Sequence, residues 1–401
     1  MLSFDEALAR LLASVETVPG VSSVPTLAAA GRVLATAQQA PIDAPPVDNA
    51  AMDGYALAVA DVPRLATCLP VTQRITAGVV GTRLQPGTAA RIFTGASIPA
   101  GADAVVMQEK CRQVDGAVTI DHLPRPGEHI RRAGSDIAAG SEILAAGRRL
   151  RPQDTALAAS VGLASLPVYR RLRVTVLFTG DELRMPGEAL PPGGIYNSNR
   201  FLLIALLERL GCKVRDGGQV PDALAATRRA LREAAADSDL IVTSGGVSVG
   251  EEDHVKAAVA AEGRIEMWRI AIKPGKPLAF GKIVADGREV AFVGLPGNPV
   301  SGFVTFLMLL RPLLLRMQGG VQTHPVSYCL RADFDWLRPN ARREFLRARR
   351  NADGGLDLFA NQSSGVLTSA VWGDGLVDVQ EQQAIRRGDA VRFLPFSELL
   401  D

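Results

Sequence analysis

Between Arg171 and Leu315 the chain alternates short apolar runs with longer helical stretches, and this alternation restricts its fold more than any other feature. RVTVLF (173 to 178), LIVTS (240 to 244) and EVAFVGL (289 to 295) are almost continuously apolar. A strand of that kind needs cover above and below, as in a parallel sheet flanked by helices. KVRDGGQV (213 to 220) adds a more polar strand. Asn197 or Ser198 caps FLLIALLERL and Gly211 stops it, Pro221-Asp222 opens a helix to Ala236, and another follows Glu251. Asn298-Pro299 places a capping residue and an N1 proline before VSGFVTFLMLL. These signals predict an open α/β/α parallel-sheet domain over residues 170–318, with helices on both faces.

The flanking text is different. Ser3-Phe4-Asp5-Glu6 reads as a capping box opening a short amphipathic helix through Ala13. From Ala40 to about Gly140, short β-type runs (VTQRITAG, ARIFTG, AVVMQEKC, AVTID) are punctuated by Pro and Gly, and 141–169 return to Leu and Ala with a helix at Pro152 to Val161. The expected organisation is multidomain α/β plus β: a helical domain (1–39 and 141–169), an inserted β-rich module (40–140), the α/β domain, and a C-terminal small β-barrel (319–401). The last of these rests on the short strands SYCLRADF, REFLRARR, LDLFA, LVDVQ and AVRFLPF.

Composition excludes several classes of function. With 401 residues and 47% hydrophobic content the chain has material for two to four domains, and its net charge of +2 gives no field directed at nucleic acid or an anionic membrane. The longest apolar run, Val300 to Leu310, is broken by Arg311-Pro312, and Met1 to Gly20 carries acids where a signal peptide has its apolar core. A soluble cytoplasmic protein is expected, with neither nucleic-acid nor membrane partners. Cys68, Cys111, Cys212 and Cys329 form no CxxC, so neither structural disulfides nor a zinc site is expected.

Ligands of open α/β sheets bind outside the carboxyl ends of the strands. Three strand ends carry unusual loops: TGDEL (179 to 183), TSGGVSVGEED (243 to 253) and GLPGNPVSG (294 to 302). Their glycines turn backbone amides toward an oxyanion, and each loop precedes a helix N-terminus. Acids beside such an anion site require a cation between them, and Mg²⁺ binds through one or two carboxylates plus substrate phosphates. Glu182 and Asp253 are the candidates, while Glu251 and Glu252 suit a helix N-terminus through the macrodipole. AIKPGKPLAFG (271 to 281) adds Lys273 and Lys276, two of only 6 lysines among 44 basic residues. A compact ammonium, unlike a planar guanidinium, suits a small tetrahedral anion. In the β module, Asp48, Asn49 and Asp53 around Gly54 read as an Asx-rich turn. The residues alone lead to a phosphate- and Mg²⁺-binding α/β domain with β-rich attachments.

PPVDNAAMDGYAL (45 to 57), RIFTGASIPAGADAVVMQE (91 to 109), PGEHIRRAGSDI (126 to 137), TGDEL, SGGVSVGEEDH, AIKPGKPLAFG and GLPGNPVSGF follow one another in this order. In these motifs, across nearly its whole length, the chain resembles the molybdopterin molybdenumtransferases, the family that includes the C-terminal domain of gephyrin. The resemblance implies a homodimer that inserts molybdate into adenylylated molybdopterin and releases AMP and molybdenum cofactor. Its implied partners are a molybdopterin adenylyltransferase and molybdoenzyme maturation factors. It implies substrate contacts at Asp53, Thr94 and Asp136, and nucleotide or Mg²⁺ contacts at Gly180, Glu182, Asp222, Gly245, Gly246 and Asp253. Molybdate or substrate contacts are implied at Lys273, Lys276, Pro296, Gly297, Asn298, Pro299, Ser301 and Arg342. Arg269 stands where the family often has lysine, and Ala341 where it often has glycine. Two other activities fit parts of the pattern: adenylylation of molybdopterin, and a non-catalytic scaffold of the gephyrin kind.

Overall fold

The apolar runs form the centre of a six-stranded sheet in the order Lys213–Val220, Arg173–Thr179, Leu240–Ser244, Arg288–Leu295, Pro277–Ala285, Gly263–Arg269. The structure, a computed structural model, describes residues 1–18, 20–246, 254–275 and 277–400. The first four strands are parallel, and Pro277–Ala285 runs antiparallel to both of its neighbours. The sheet is therefore mixed where the sequence predicts a parallel one. The reason is a two-residue connection: Asp286 and Gly287, with φ of 50° and 72°, link Pro277–Ala285 to Arg288–Leu295. Two consecutive positive φ values are the signature of a hairpin turn, and a hairpin joins antiparallel neighbours.

Helices Ser198–Arg209 and Pro299–Met317 pack on one face of this sheet. Leu224–Asp237 and His254–Glu262 cover the other. The sequence reads this helix as VSGFVTFLMLL, yet Pro299–Met317 continues through Arg311-Pro312. Phe306–Leu310 is a π turn in which the Arg311 N–H donates to the Phe306 carbonyl five residues back. That widened turn absorbs the ladder position at which Pro312 has no donor. This is the one described helix long and apolar enough to cross a membrane, and 94% of its apolar stretch is buried inside the protein.

The capping box at Ser3 and Glu6 forms, and opens the helix Phe4–Ala13. Phe4, Ala7, Leu8 and Leu11 join the core cluster of Pro299–Met317, and Phe4 meets Phe345 edge to face at 5.5 Å. The rest of 1–39 pairs with 141–169, Val21–Pro25 against Ser165–Tyr169 and Gln38–Gln39 against Glu142–Leu144. A helical character is predicted for these stretches. Among the described residues, two small sheets form with the α-helix Pro152–Ser160 and a 3-10 turn at Thr26–Ala28, because SLPVY buries alternate residues. Between Gly54 and Ile120 a second six-stranded sheet forms, in the order Ala104–Met107, Gly54–Leu57, Ala89–Ile92, Thr67–Ile75, Ala117–Ile120, Cys111–Val114.

In the C-terminal part, Arg343–Arg350, Gly375–Val379, Ala390–Pro395 and Tyr328–Arg331 are neighbours in that order. Leu356–Leu358 pairs with the free side of Arg343–Arg350, and the bridge Ala332↔Leu356 returns the path to its start. A sixth short strand joins this sheet from outside the region. Ile272–Lys273 pairs in parallel with Arg343 and Glu344.

Asp239 fixes the start of the central parallel pair. Its carboxylate, 5% exposed, accepts from Arg170 at 2.7 and 2.9 Å, from Arg173 at 3.2 Å and from the Arg173 backbone N–H at 2.8 Å. Burial raises the pKa of this carboxyl, but the hydrogen bonds outweigh it and hold the group below its ordinary value. Asp239→Ala is expected to destabilise the protein by about 2–3 kcal/mol, the scale of hydrogen bonds to a charged group, in denaturant unfolding at neutral pH. Because the folded pKa is depressed, this stabilisation is present above the unfolded carboxylate pKa and is lost as pH falls through the folded one. The difference between wild type and variant should therefore shrink in acid.

Candidate active site

Eight of the predicted site residues meet in one cleft of about 630 Å³: Gly245, Gly246, Lys273, Pro296, Gly297, Asn298, Ser301 and Arg342. The strands Leu240–Ser244 and Arg288–Leu295 are parallel neighbours, so their C-terminal loops emerge side by side. Gly245 and Gly246, at φ of 90° and 67°, could not carry side chains: a Cβ would lie 2.9 Å from the Thr179 carbonyl and 2.3 Å from Val255 respectively. The Gly245 N–H is not aimed at a ligand; it donates to Leu295 O at 3.1 Å and ties the two strand ends together. Asn298 sits at the N-cap of Pro299–Met317, as predicted, and Pro299 is its N1 residue. The Asn298 side chain does not cap the helix but donates to Ser364 Oγ at 3.2 Å.

The opposite wall comes from the C-terminal part. Arg342, Gln362, Ser363 and Ser364 line it. Lys273, 40% exposed, lies 2.6 Å from the Glu344 carboxylate, whose side chain is 3% exposed. Glu344 also accepts from Trp336 Nε1 at 2.7 Å. The ammonium predicted to meet an anion therefore has a resident counter-ion, supplied by the strand that pairs with Ile272–Lys273. Glu344, Gln362, Ser363 and Ser364 are absent from the sequence prediction. They lie about 70 to 90 residues downstream of Lys273. NQSSG (361 to 365) reads locally as an ordinary polar turn, although its Gly-Ser composition was the available signal.

The acids of the first strand end lie apart from this cleft lining. Gly180 O accepts from Gln219 at 2.7 Å, and Asp181 and Asp222 exchange hydrogen bonds between side chain and backbone N–H at 3.1 and 3.3 Å. Asp222 is thus anchored to the Gly180 loop. Glu182 is exposed, folds over Gly180, and makes no side-chain hydrogen bond or ion pair among the described residues. Asp253 and Lys276, together with Ser248, Glu251 and Glu252, lie outside the described residues.

Asp53 and Thr94, two of the implied substrate contacts, bond to each other. The Asp53 carboxylate accepts from the Thr94 hydroxyl at 2.6 Å and from its backbone N–H at 2.7 Å. Those bonds hold the Asp53 carboxyl below its ordinary pKa. Asp48 does not share this turn; it pairs with Arg132 at 2.6 Å. Asp136 donates its backbone N–H to Ala44 O at 3.0 Å, and neither it, Asp53 nor Thr94 lines the cleft.

Three family models match the chain: a MoeA N-terminal region (domain I and II) at residues 2–162, a probable molybdopterin binding domain at 175–316, and a MoeA C-terminal region (domain IV) at 330–396. A molybdopterin molybdenumtransferase of Haemophilus influenzae is 38% identical over 100% of both chains. Molybdopterin molybdenumtransferase 2 of Mycobacterium tuberculosis is 37% identical over 90% of this chain and 91% of its own. Among solved structures, a molybdopterin biosynthesis MoeA protein of Pyrococcus horikoshii superposes with a TM-score of 0.85 at 28% identity, covering 98% of this chain and 100% of its own.

Thr94→Val removes the hydroxyl that donates to Asp53 while keeping side-chain shape. The Asp53 carboxyl pKa should rise toward its ordinary value in an NMR pH titration. An unchanged midpoint would show that the backbone N–H alone sets the carboxylate.

Proposed function

This chain belongs to the molybdopterin molybdenumtransferase family, transferases that insert molybdenum in molybdenum cofactor biosynthesis, and we propose that its substrate is adenylylated molybdopterin, hydrolysed as molybdate enters, with release of AMP. The observation that carries this reading is the convergence of Lys273, Arg342, Asn298, Ser301 and the Gly245 loop on one cleft of about 630 Å³. That is a volume suited to a small-molecule substrate.

Molybdate is a tetrahedral dianion. Lys273 and Arg342 supply cations for it, Asn298, Ser301 and Ser364 supply polar side chains, and the N-terminus of the helix Pro299–Met317 favours negative charge. The Glu344 carboxylate holds the Lys273 ammonium in one place before the anion arrives. Ordering is then largely complete in the free protein, which lowers its cost on binding. On the nucleotide side, Glu182 offers a free hard-oxygen donor beside the anchored Asp222. This donor chemistry fits Mg²⁺, with Glu182 and Asp253 as its holders. Bound there with the substrate phosphates, the ion would neutralise charge on the anhydride. Glu182 is also the group we assign to orient the attacking water and accept its proton. Asp53, Thr94 and Asp136 stand outside the cleft lining, and we assign them to the half of the site that one protomer of a homodimer contributes to its partner.

Lys273→Ala alone orphans the buried Glu344, so the anion role is best tested in Lys273→Ala/Glu344→Gln. Half-saturating molybdate in an AMP-release assay should rise by about 10- to 100-fold, corresponding to the loss of a charge-assisted hydrogen bond. Unchanged half-saturation in the folded double variant would remove Lys273 from the anion site. Mixing Asp53→Ala with Asp253→Ala protomers should restore part of the activity absent from either alone, because one site per heterodimer is intact. Heterodimers verified by mass that stay as inactive as their parents would refute a shared site.

A further inference from the structure

Two buried arginines four residues apart on the strand Arg343–Arg350 are treated differently by their surroundings. Arg343 is neutralised: it binds Asp378 at 2.7 Å through two nitrogens and Asp5 at 2.9 Å. Arg347 is 0% exposed and is among the largest fully buried side chains. Its Nε donates to Ser369 Oγ at 3.0 Å, Nη1 to Phe345 O at 3.3 Å and Nη2 to Ser363 O at 3.3 Å. All three acceptors are neutral, and no carboxylate pairs with Arg347 among the described residues. A buried cation without a counter-ion is costly, and a side chain of that kind persists where something offsets it.

Ser363 and its neighbours give the direction in which the compensation lies. Gln362 grips the backbone of Arg347 from both sides, accepting from its N–H at 2.9 Å and donating to its carbonyl at 3.0 Å. Ser364 is held to the other wall, its carbonyl accepting from Val300 N–H at 3.0 Å and its hydroxyl from Asn298. Gln362, Ser363 and Ser364 all line the cleft, so the guanidinium stands directly behind that wall. We propose that Arg347 is a positioning residue for the oxyanion end of the cleft, fixing the Gln362–Ser364 segment and holding a buried positive charge that the bound dianion offsets. The inference rests on the reading of the cleft as a molybdate site. It adds a cation that does not touch the ligand, whose field is little screened because protein rather than water surrounds it.

The test is equilibrium dialysis of molybdate against the full chain, with thermal unfolding as the check on folding. Arg347→Met keeps much of the volume and deletes the charge; molybdate affinity should fall about tenfold or more. Arg347→Lys returns the charge and should recover most of that loss. Ser369→Asp leaves Arg347 in place and gives it a carboxylate instead of the hydroxyl that accepts from its Nε at 3.0 Å and donates to Val366 O at 2.7 Å; once thermal unfolding shows it folded, it should still lose about tenfold in affinity. The last variant decides the matter if Arg347→Met does not fold, since a purely structural arginine predicts unchanged binding there. Wild-type molybdate affinity in folded Arg347→Met or Ser369→Asp overturns the inference and leaves the molybdate reading standing. Failure of the wild-type chain to bind molybdate overturns both.

Discussion

A single buried carboxylate joins the two walls of the cleft. Glu344 accepts from Trp336 on its own side and pairs with Lys273 on the other, and the backbone beside it adds the ladder pairing Ile272↔Arg343 and Lys273↔Glu344. The AIKPGKP segment is thereby built into two sheets at once, one end in the C-terminal sheet and the other running into Pro277–Ala285 of the α/β sheet. Glycine loops at the ends of Leu240–Ser244 and Arg288–Leu295 would otherwise face solvent. With the seam closed they face Arg342 and the Gln362–Ser364 segment.

The same seam governs the electrostatics. Burying Glu344 is tolerable because an indole N–H bonds one of its oxygens and the Lys273 ammonium, 2.6 Å from the other, balances its charge, and Lys273 in turn is held where an anion can reach it. Arg343 is neutralised within the protein by Asp378 and Asp5, whereas Arg347 is not. The wall of the cleft therefore carries more positive charge than the residues exposed on it reveal. A dianion entering there meets both a direct cation and one set behind the surface.

The acids are distributed in the opposite sense. Glu182 and Asp222 belong to the loops that follow Arg173–Thr179 and Lys213–Val220 and do not line the cleft, and Asp53 is tied to Thr94 on a different sheet altogether. Under the proposed reaction, the cations that would bind molybdate and the carboxylates that would serve the adenylate are thus carried by different strand ends.

Much of this was legible in the amino-acid order because it depends on local physics. Continuous apolar runs demanded a doubly covered sheet, Asn298-Pro299 started its helix, and Ser3 and Glu6 capped theirs. The motifs around Lys273, Pro296 and Arg342 pointed to residues that do share a cleft. Other features needed the tertiary structure, although some of their signals were local. The Asp286-Gly287 turn reversed a strand that was read as ligand motif rather than sheet, and a π turn carried a helix through Pro312. Helix Phe4–Ala13 took its partners from residues some 300 positions away. The counter-ion of Lys273, and the lack of one for Arg347 among the described residues, were decided in the same way, because pairing energies depend on distances between segments that sequence spacing leaves free.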